Sequence, residues 1–446
     1  MTLIGLINPP TSRYAAGWSH PDARDDWLGT DFYVDTARTL ERGHFDLMFL
    51  PDTLAVPEDG DGEVATTLRT GGKGAVQLDP LLTLAAVAAV TRRLGLGATV
   101  STGFLPPYHI ARSLLTLDHL SGGRCAWNMV TSTADAEARN FGRSGIAPKG
   151  QRYDHADEVV TEVLDLMTTW APDALRIDAA AGVFADPDRV RRTRAAGRPG
   201  VAPGPMTLPA SPQGHPVLMQ AGASARGLEF AARWAEVVFV AGDGPEQTGA
   251  VRHEIRDRAR RWGRDPDRVR ICAAVQPVVG ATAADAERVL ADLAAHVDEA
   301  DALRSLARLL HARPETLDID GPAVDLLARH RGATGSDGFE DMLASVCRRE
   351  GLTVRGLAVR QSLNQLTPQP LGSGEEVADQ LCAWQDAGGA DGFVILTAVH
   401  PTSLDAFVKH VVPALQRRGR LPTDDEEPRE RERERPTLRD RLWPGG

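Results

Sequence analysis

The chain has 446 residues, 42% of them hydrophobic and 25% charged, with a formal net charge of −11. That length fits one (β/α)8 barrel with insertions, and the acidic balance argues against nucleic acid or an anionic membrane as the main partner. No window is apolar for long enough to span a bilayer, and the N-terminus MTLIGLINPPTSR lacks the pattern of a signal peptide. The four cysteines, Cys125, Cys272, Cys347 and Cys382, have no paired spacing, so neither a disulfide nor a metal site is expected and the cytoplasm is the expected compartment.

Leu3–Ile7 reads as a first strand, followed by a Pro- and Trp-rich loop over Asn8–Gly29 whose length marks it as a binding loop. Asp31–Arg42 reads as a helix ending at Gly43, and Phe45–Leu50 as the second strand, ending in Pro51-Asp52. Val56–Gly74 reads as a mobile loop. Leu81, Leu84, Ala85, Ala88 and Ala89 recur at helical spacing. Leu94–Thr102 is the third strand and Arg124–Thr131 the fourth, with a helix between them. Thr133–Arg152 is a polar loop, Tyr153–Trp170 a helix, and Ala171–Gln213 a long Pro- and Arg-rich insertion whose arginine run reads as solvated. Strand and helix then alternate: Pro216–Gln220 and Ala225–Trp234, Val237–Val240 and Val251–Trp262, Val269–Val279 and Ala283–Leu293. Helical segments continue to about His330, and Gly332–Pro370 reads as loop-rich. Glu375–Ala387, Gly392–Leu396 and Ser403–Arg417 close the pattern. Eight alternating strands fit a closed barrel better than an open sheet, in one domain over residues 1–420 with insertions near 171–213 and 321–370. The tail 421–446 carries the run RERERERP (Arg429–Pro436) and reads as disordered.

The third strand has two unlike faces, Leu94, Leu96, Ala98 and Val100 against Gly95, Gly97, Thr99 and Ser101. Helices cover the outside of a barrel, so the apolar face points out and the small, polar face into the lumen. By the same alternation Trp127 and Met129 point one way and Ala126 and Asn128 the other. Barrel enzymes work at the C-terminal ends of their strands. Asp52, Thr99, Ser101, Asn128 and Ser224 all fall at that rim, although any one of them alone reads equally well as a loop residue or a cap. In QAGASARG, Ser224 sits where it would cap the following helix, and the same place is a seat for phosphate. Among the histidines His109 lies nearest the rim, where a packing role is the plainer reading. No histidine pair has metal-ligand spacing, and no Gly-x-Gly-x-x-Gly fingerprint occurs.

LDPLLTLAAVAAVTRRLGLGATVST, PPYHIAR, LDHLSGGRCAWNMVTS, HFDLMFLPDT and SPQGHPVLMQAGASARGLEFAARWAEVVF together resemble the nitrilotriacetate monooxygenase family. That family is a branch of the bacterial luciferase-like flavin enzymes and includes dibenzothiophene-sulfone monooxygenases and pristinamycin IIA synthase. The resemblance covers roughly Gly17–Gln416. It implies a luciferase-like TIM barrel and a two-component monooxygenase in which a separate flavin reductase supplies reduced FMN. O2 would then oxygenate a small organic substrate through a flavin C4a-peroxide. The positions matching the family's flavin contacts are Asp52, Thr99, Tyr153 and Ser224, with Asn128 on the adjoining strand. Lys149 stands where relatives often carry a histidine, and a lysine pairs with phosphate as a point charge. The family's insertion, a hairpin-like excursion, falls in Ala171–Gln213. A homo-oligomer, dimer or tetramer, is also implied. The rival readings are a deazaflavin-dependent oxidoreductase of the same superfamily and a flavin-binding carrier without turnover. A catalytic residue is not identified beyond His109 as a weak candidate.

Overall fold

The structure is a computed structural model that describes residues 1–10, 12–58, 62–197, 200–222, 224–334, 337–423 and 436–444. Eight parallel strands close into a barrel: β1 (Thr2–Leu6), β2 (Leu47–Leu50), β3 (Gly95–Ser101), β4 (Cys125–Val130), β5 (Val217–Ala221), β6 (Val237–Val240), β7 (Arg270–Val275) and β8 (Gly392–Leu396). Each pairs with its neighbours in sequence, and β8 closes the ring against β1. The expected strands are all present. The helices outside are α1 (Thr30–Arg42), α2 (Pro80–Val90), α3 (Pro107–Ser121), α4 (Lys149–Met167), α5 (Ala225–Trp234), α6 (Pro245–Arg261), α7 (Gly374–Asp386) and α8 (Thr402–Arg417, with a π turn at Phe407–Val411). Among the described residues no helix is long and apolar enough to cross a membrane.

The alternation within strands sorts the core into two shells. Leu94, Leu96, Ala98, Val100, Trp127 and Met129 pack outward against the helices. Ile4, Leu6, Leu47, Phe49, Ala126 and Met219 fill the lumen. Gly95 lies on the lumen side, where a Cβ would stand 2.7 Å from both the Asp46 carbonyl oxygen and Leu47. Closure imposes the same demand at Gly392, which pairs with Thr2 across the β8–β1 seam. A Cβ there would stand 2.2 Å from the Thr2 carbonyl oxygen. Gly392→Ala is therefore expected to destabilise the chain by about 1–3 kcal/mol or more. The measurement is the denaturation midpoint, and an unchanged midpoint would show that the seam yields freely.

Several loops are more ordered than the sequence implied. The region 332–370, expected to be loop-rich, contains two helices, Asp337–Glu350 and Val354–Asn364. With Glu299–Leu309 and Ala323–Arg329 they build a helical annexe whose own core includes Leu306, Leu326, Leu343, Val346 and Leu357. Thr353 caps the second helix by accepting from the Gly356 N–H. The polar loop expected over Thr133–Arg152 holds a short helix, Asp135–Asn140, and α4 starts at Lys149 rather than Tyr153. Val56–Gly74 holds a helical turn at Ala65–Thr70, and its residues 59–61 lie outside the described ones. The insertion 171–213 does carry a hairpin, Leu175–Asp178 with Val183–Ala185.

The tail departs most from expectation. Its charged run is outside the described residues up to 435, but α9 (Leu438–Leu442) is a capped helix packed under the barrel. Leu438 and Leu442 join the lumen core beside Leu47 and Val217. Thr437 accepts from the Asp440 N–H, and Asp440 returns the contact to the Thr437 N–H. The stretch 436–444 therefore seals the N-terminal mouth of the barrel.

Candidate active site

The C-terminal rim surrounds a cavity of about 480 Å3. Its walls come from the ends of several strands: Asn8 after β1, Asp52 after β2, Met129–Ala134 from β4 onward, and Gln220 and Ala221 from β5. Tyr153 of α4, Glu137 and Lys73 also line it. Asp52, expected at the rim, and Tyr153, singled out by the resemblance, both line this cavity. Thr99 and Asn128 lie buried next to each other in the lumen, with Asn128 Nδ2 donating to Thr99 Oγ1 at 2.9 Å. They belong to the barrel interior beside the cavity and do not line it. Ser101 and Ser132 join β3 to the cavity wall through their hydroxyls, 3.0 Å apart. Ser132 holds a left-handed backbone, φ 52°, a strained conformation for a residue with a side chain.

The turn from β5 to α5 is built for close approach. Ser224 caps α5 by accepting from the Gly227 N–H at 3.2 Å. The Tyr153 hydroxyl reaches the same turn beside Ser224, and burial pushes the phenol's pKa up, with Ser224 opposing. A Cβ at Gly222 would stand 2.3 Å from Gln220 Nε2 and 3.3 Å from that hydroxyl, and one at Gly227 2.9 Å from it. The two glycines therefore let the Gln220, Tyr153 and Ser224 side chains approach the turn closely. Arg226 spreads its guanidinium over the Tyr153 ring, 5.3 Å from the centroid. Its charge is shared with Asp154 at 3.0 Å and Asp157 at 2.6 Å. Lys149 is exposed on the first turn of α4, one turn before Tyr153. His109 is exposed on the first turn of α3 and is not among the residues lining the cavity.

The carboxylates of the cavity have distinct roles. Glu137 accepts from the N–H groups of Leu54, Thr133 and Ala134 at 3.2–3.3 Å, so it ties the loops after β2 and β4 together. Asp52 has no such set of donors. Burial, then Asp79 and Glu137, push its pKa up to about 6, against one opposing bond from the Thr53 backbone. Sequence reasoning missed Glu137, Lys73, Gln220 and Asn8. Asn8 alone had a signal, because it continues the lumen series Ile4–Leu6.

One group of metal-type donors comes together among the described residues: His20, Asp292 and His296, with donor atoms within 4.8 Å of one another. His20 and Asp292 are too far apart in sequence for any spacing rule to pair them. The hydrogen bonds already made explain the group. His20 Nδ1 accepts from the Asp22 N–H and its Nε2 faces Asp292 at 3.0 Å, while His296 Nδ1 is bonded to the Asp292 carbonyl. The group clamps the loop after β1 to the helix Ala283–Ala295.

Residues 16–391 match the model of the family described as luciferase-like monooxygenase. The chain is 42% identical to dibenzothiophene-sulfone monooxygenase of Rhodococcus erythropolis, over 95% of this chain and 94% of the relative. It is 34% identical to nitrilotriacetate monooxygenase component A of Aminobacter aminovorans, over 98% and 95%. Among solved structures, DmoA from Hyphomicrobium sulfonivorans superposes with a TM-score of 0.87 at 31% identity, covering 99% of this chain and 92% of that one. An eight-stranded parallel barrel with its rim cavity, matched along nearly its whole length by these enzymes, places the chain in the luciferase-like monooxygenase family.

Proposed function

We propose that the chain is the oxygenase component of a two-component monooxygenase, that its flavin is reduced FMN, and that the flavin phosphate seats at the β5–α5 turn. The observation that supports this reading is the convergence of the Tyr153 hydroxyl, Ser224 and the N-terminal end of α5 on the glycine-flanked turn beside the cavity. A helix N-terminus offers unpaired N–H groups and about half a positive charge to an anion. Lys149, one turn from Tyr153 on α4, adds a second point charge. Asp52 and the Thr99–Asn128 pair would face the flavin ring from the rim and the lumen. When bound, the flavin supplies the chemistry that activates O2.

The protein's own part is placement and exclusion of water. Tyr153 and Ser224 hold the phosphate, Glu137 fixes the loops over the cavity, and the apolar wall of Met129 and Val130 limits solvent. A separate flavin reductase would supply the reduced cofactor, and the substrate would be a small organic molecule. The described cysteines are all buried and unpaired, which suits a cytoplasmic setting. A homo-oligomer remains part of the proposal. The relatives act, by their names, on a sulfone and on nitrilotriacetate, so family membership leaves the substrate to this chain's own cavity.

The test is anaerobic titration with reduced FMN and with reduced riboflavin, in the wild type and in Ser224→Ala and Tyr153→Phe. FMN should bind the wild type more tightly than riboflavin, and each variant should weaken FMN about tenfold with little change for riboflavin. Equal affinity for the two flavins in the wild type would remove the phosphate seat. Failure to bind either would overturn the FMN assignment in favour of a deazaflavin. Tight flavin binding without oxygen consumption in the presence of any substrate would leave a carrier.

A further inference from the structure

Gln220 is out of character for its place. In β5, Val217 and Met219 join the lumen core and Leu218 the outer one. Gln220 follows Leu218 on the outer face, which helices cover, and an apolar residue is the ordinary occupant there. It is 3% exposed, yet it lines the rim cavity. Its amide oxygen is buried and has no hydrogen-bond partner. Among the described residues that line the cavity, no other buried side-chain oxygen or nitrogen stands unpartnered. Glu137 has its three N–H donors and Ser132 has Ser101. Buried amides are nearly always bonded, so an orphan at a cavity wall marks a group that a ligand or an ordered water completes.

The amide joins the cavity wall to the β5–α5 turn. A Cβ at Gly222 would meet both Gln220 Nε2 and the Tyr153 hydroxyl, so the amide and the phenol flank one point of the backbone. With the phosphate at this turn, Gln220 meets the part of the flavin next to it, the ribityl chain with its hydroxyls. The unpaired atom is an acceptor. A largely ionised phosphate is an acceptor too and offers it nothing, whereas each hydroxyl offers one O–H. The orphan therefore selects for the sugar chain rather than for the anion beside it. The torsion that carries the amide is a broad one, so a turn about Cγ–Cδ brings Oε1 to a donor in the cavity.

We propose that Gln220 reads the ribityl chain of the flavin by accepting a hydrogen bond from one of its hydroxyls, and so fixes the cofactor between its phosphate and its ring. This rests on the reading of the rim cavity as the flavin site. Gln220 binds and orients, and takes no part in the chemical step. A site built to bond a hydroxyl rejects an analogue that lacks it, because its own polar group is then left unpaired. In the flavin-free protein the same unpaired oxygen is a cost that an apolar side chain avoids.

The experiment is anaerobic titration of the wild type, Gln220→Met and Gln220→Leu with three reduced flavins, following flavin absorbance. FMN carries ring, hydroxyls and phosphate. Riboflavin lacks the phosphate, and a 5-phosphopentyl flavin keeps ring and phosphate but lacks the hydroxyls. The wild type should bind FMN about tenfold or more tightly than the phosphopentyl flavin. Each variant should weaken FMN about tenfold and change the phosphopentyl flavin by no more than about twofold, so that the preference disappears. The preference for FMN over riboflavin should stay. Both variants remove an unpaired buried oxygen at similar volume, so without flavin they should melt no lower than the wild type. Equal binding of FMN and the phosphopentyl flavin by the wild type overturns the proposal and leaves the oxygen to an ordered water. That comparison needs no variant. A preference that survives in both variants overturns it as well. Variants that weaken FMN and the phosphopentyl flavin alike, but not riboflavin, assign Gln220 to the phosphate and overturn it. A wild type that rejects the phosphopentyl flavin but binds FMN no better than riboflavin removes the phosphate seat and supports the hydroxyl contact. A wild type that binds none of the three overturns the flavin reading, and this proposal with it.

Discussion

Removing the stretch 424–446 is expected to cost the barrel most of its stability. Leu438 and Leu442 are buried among the side chains that fill the lumen, and losing one such leucine to alanine costs about 2–5 kcal/mol. Arg439 adds a half-buried polar anchor. Its guanidinium meets Glu236 with two bonds, at 2.8 and 2.9 Å, and donates to the His215 carbonyl at 3.0 Å. Burial, the largest single effect, would push the Glu236 pKa up; the Arg439 bonds and charge, with His215 and the Leu218 N–H, together outweigh it and hold the carboxylate below its ordinary value. Truncating Arg439 leaves that carboxylate buried without its partner, at about 3–5 kcal/mol. The sum is comparable with the whole stability of an ordinary domain.

Point variants separate the parts. Leu438→Ala should lower the denaturation midpoint equally at pH 5 and pH 8. Arg439→Ala should lower it strongly at neutral pH and progressively less as acid protonates Glu236. The direction follows from linkage: a depressed carboxylate contributes stability above its unfolded pKa and loses it as pH falls through the folded one. A truncated chain that melts with the full-length protein would show that α9 is an ornament on the barrel.

This closure by the tail also shows where sequence reading stops. The strands were legible because period two meets a sharp contrast in composition, as in Gly95, Gly97, Thr99 and Ser101 against Leu94, Leu96, Ala98 and Val100. The barrel then fixes which face looks inward, and Asp52, Asn128 and Ser224 follow by counting along strands. The helix α9 was hidden because it has only five residues and follows an alternating charged run that reads as solvated. Its signals are a threonine cap with an aspartate three residues on, and two leucines one turn apart. The helix Asp337–Glu350 was obscured by the Gly-rich lead before it, although Met342, Leu343, Val346 and Cys347 have helical spacing. Lys73 had no signal, because a lysine beside glycines in a loop reads as solvated. Only the folded loops bring it to the cavity. Glu137's tie to Leu54 and the His20–Asp292 clamp are invisible for the same reason, since Leu54 lies on another strand's loop and Asp292 on a helix far along the chain.

Asp52→Asn is expected to stabilise the flavin-free protein while removing a pH dependence from its cofactor binding. The Asp52 pKa, pushed up to about 6 by burial and by Asp79 and Glu137, means that the fold prefers the protonated acid. Such a group favours folding below its unfolded pKa near 3.8 and withdraws that support as pH rises through about 6. At pH 7 the charged form is a cost, about 1–2 kcal/mol after allowance for solvent in the cavity. Asparagine carries no charge and escapes it. The variant and the wild type should therefore have similar denaturation midpoints below about pH 4, diverge between about pH 4 and 6, and keep a constant gap above that, with the variant the more stable. A constant difference at all pH values would place the effect in packing rather than in the charge.

Cofactor binding reads the same carboxyl from the other side. A flavin in the cavity displaces water from around Asp52 and raises the cost of its charge, so FMN should bind the wild type more tightly as pH falls from 7 to 5. Asp52→Asn should flatten that dependence. An unchanged slope in the variant would put the flavin out of reach of Asp52. A charge that the empty fold pays to keep, at the end of a barrel strand and facing the cavity, is what a functional carboxylate looks like before its ligand arrives.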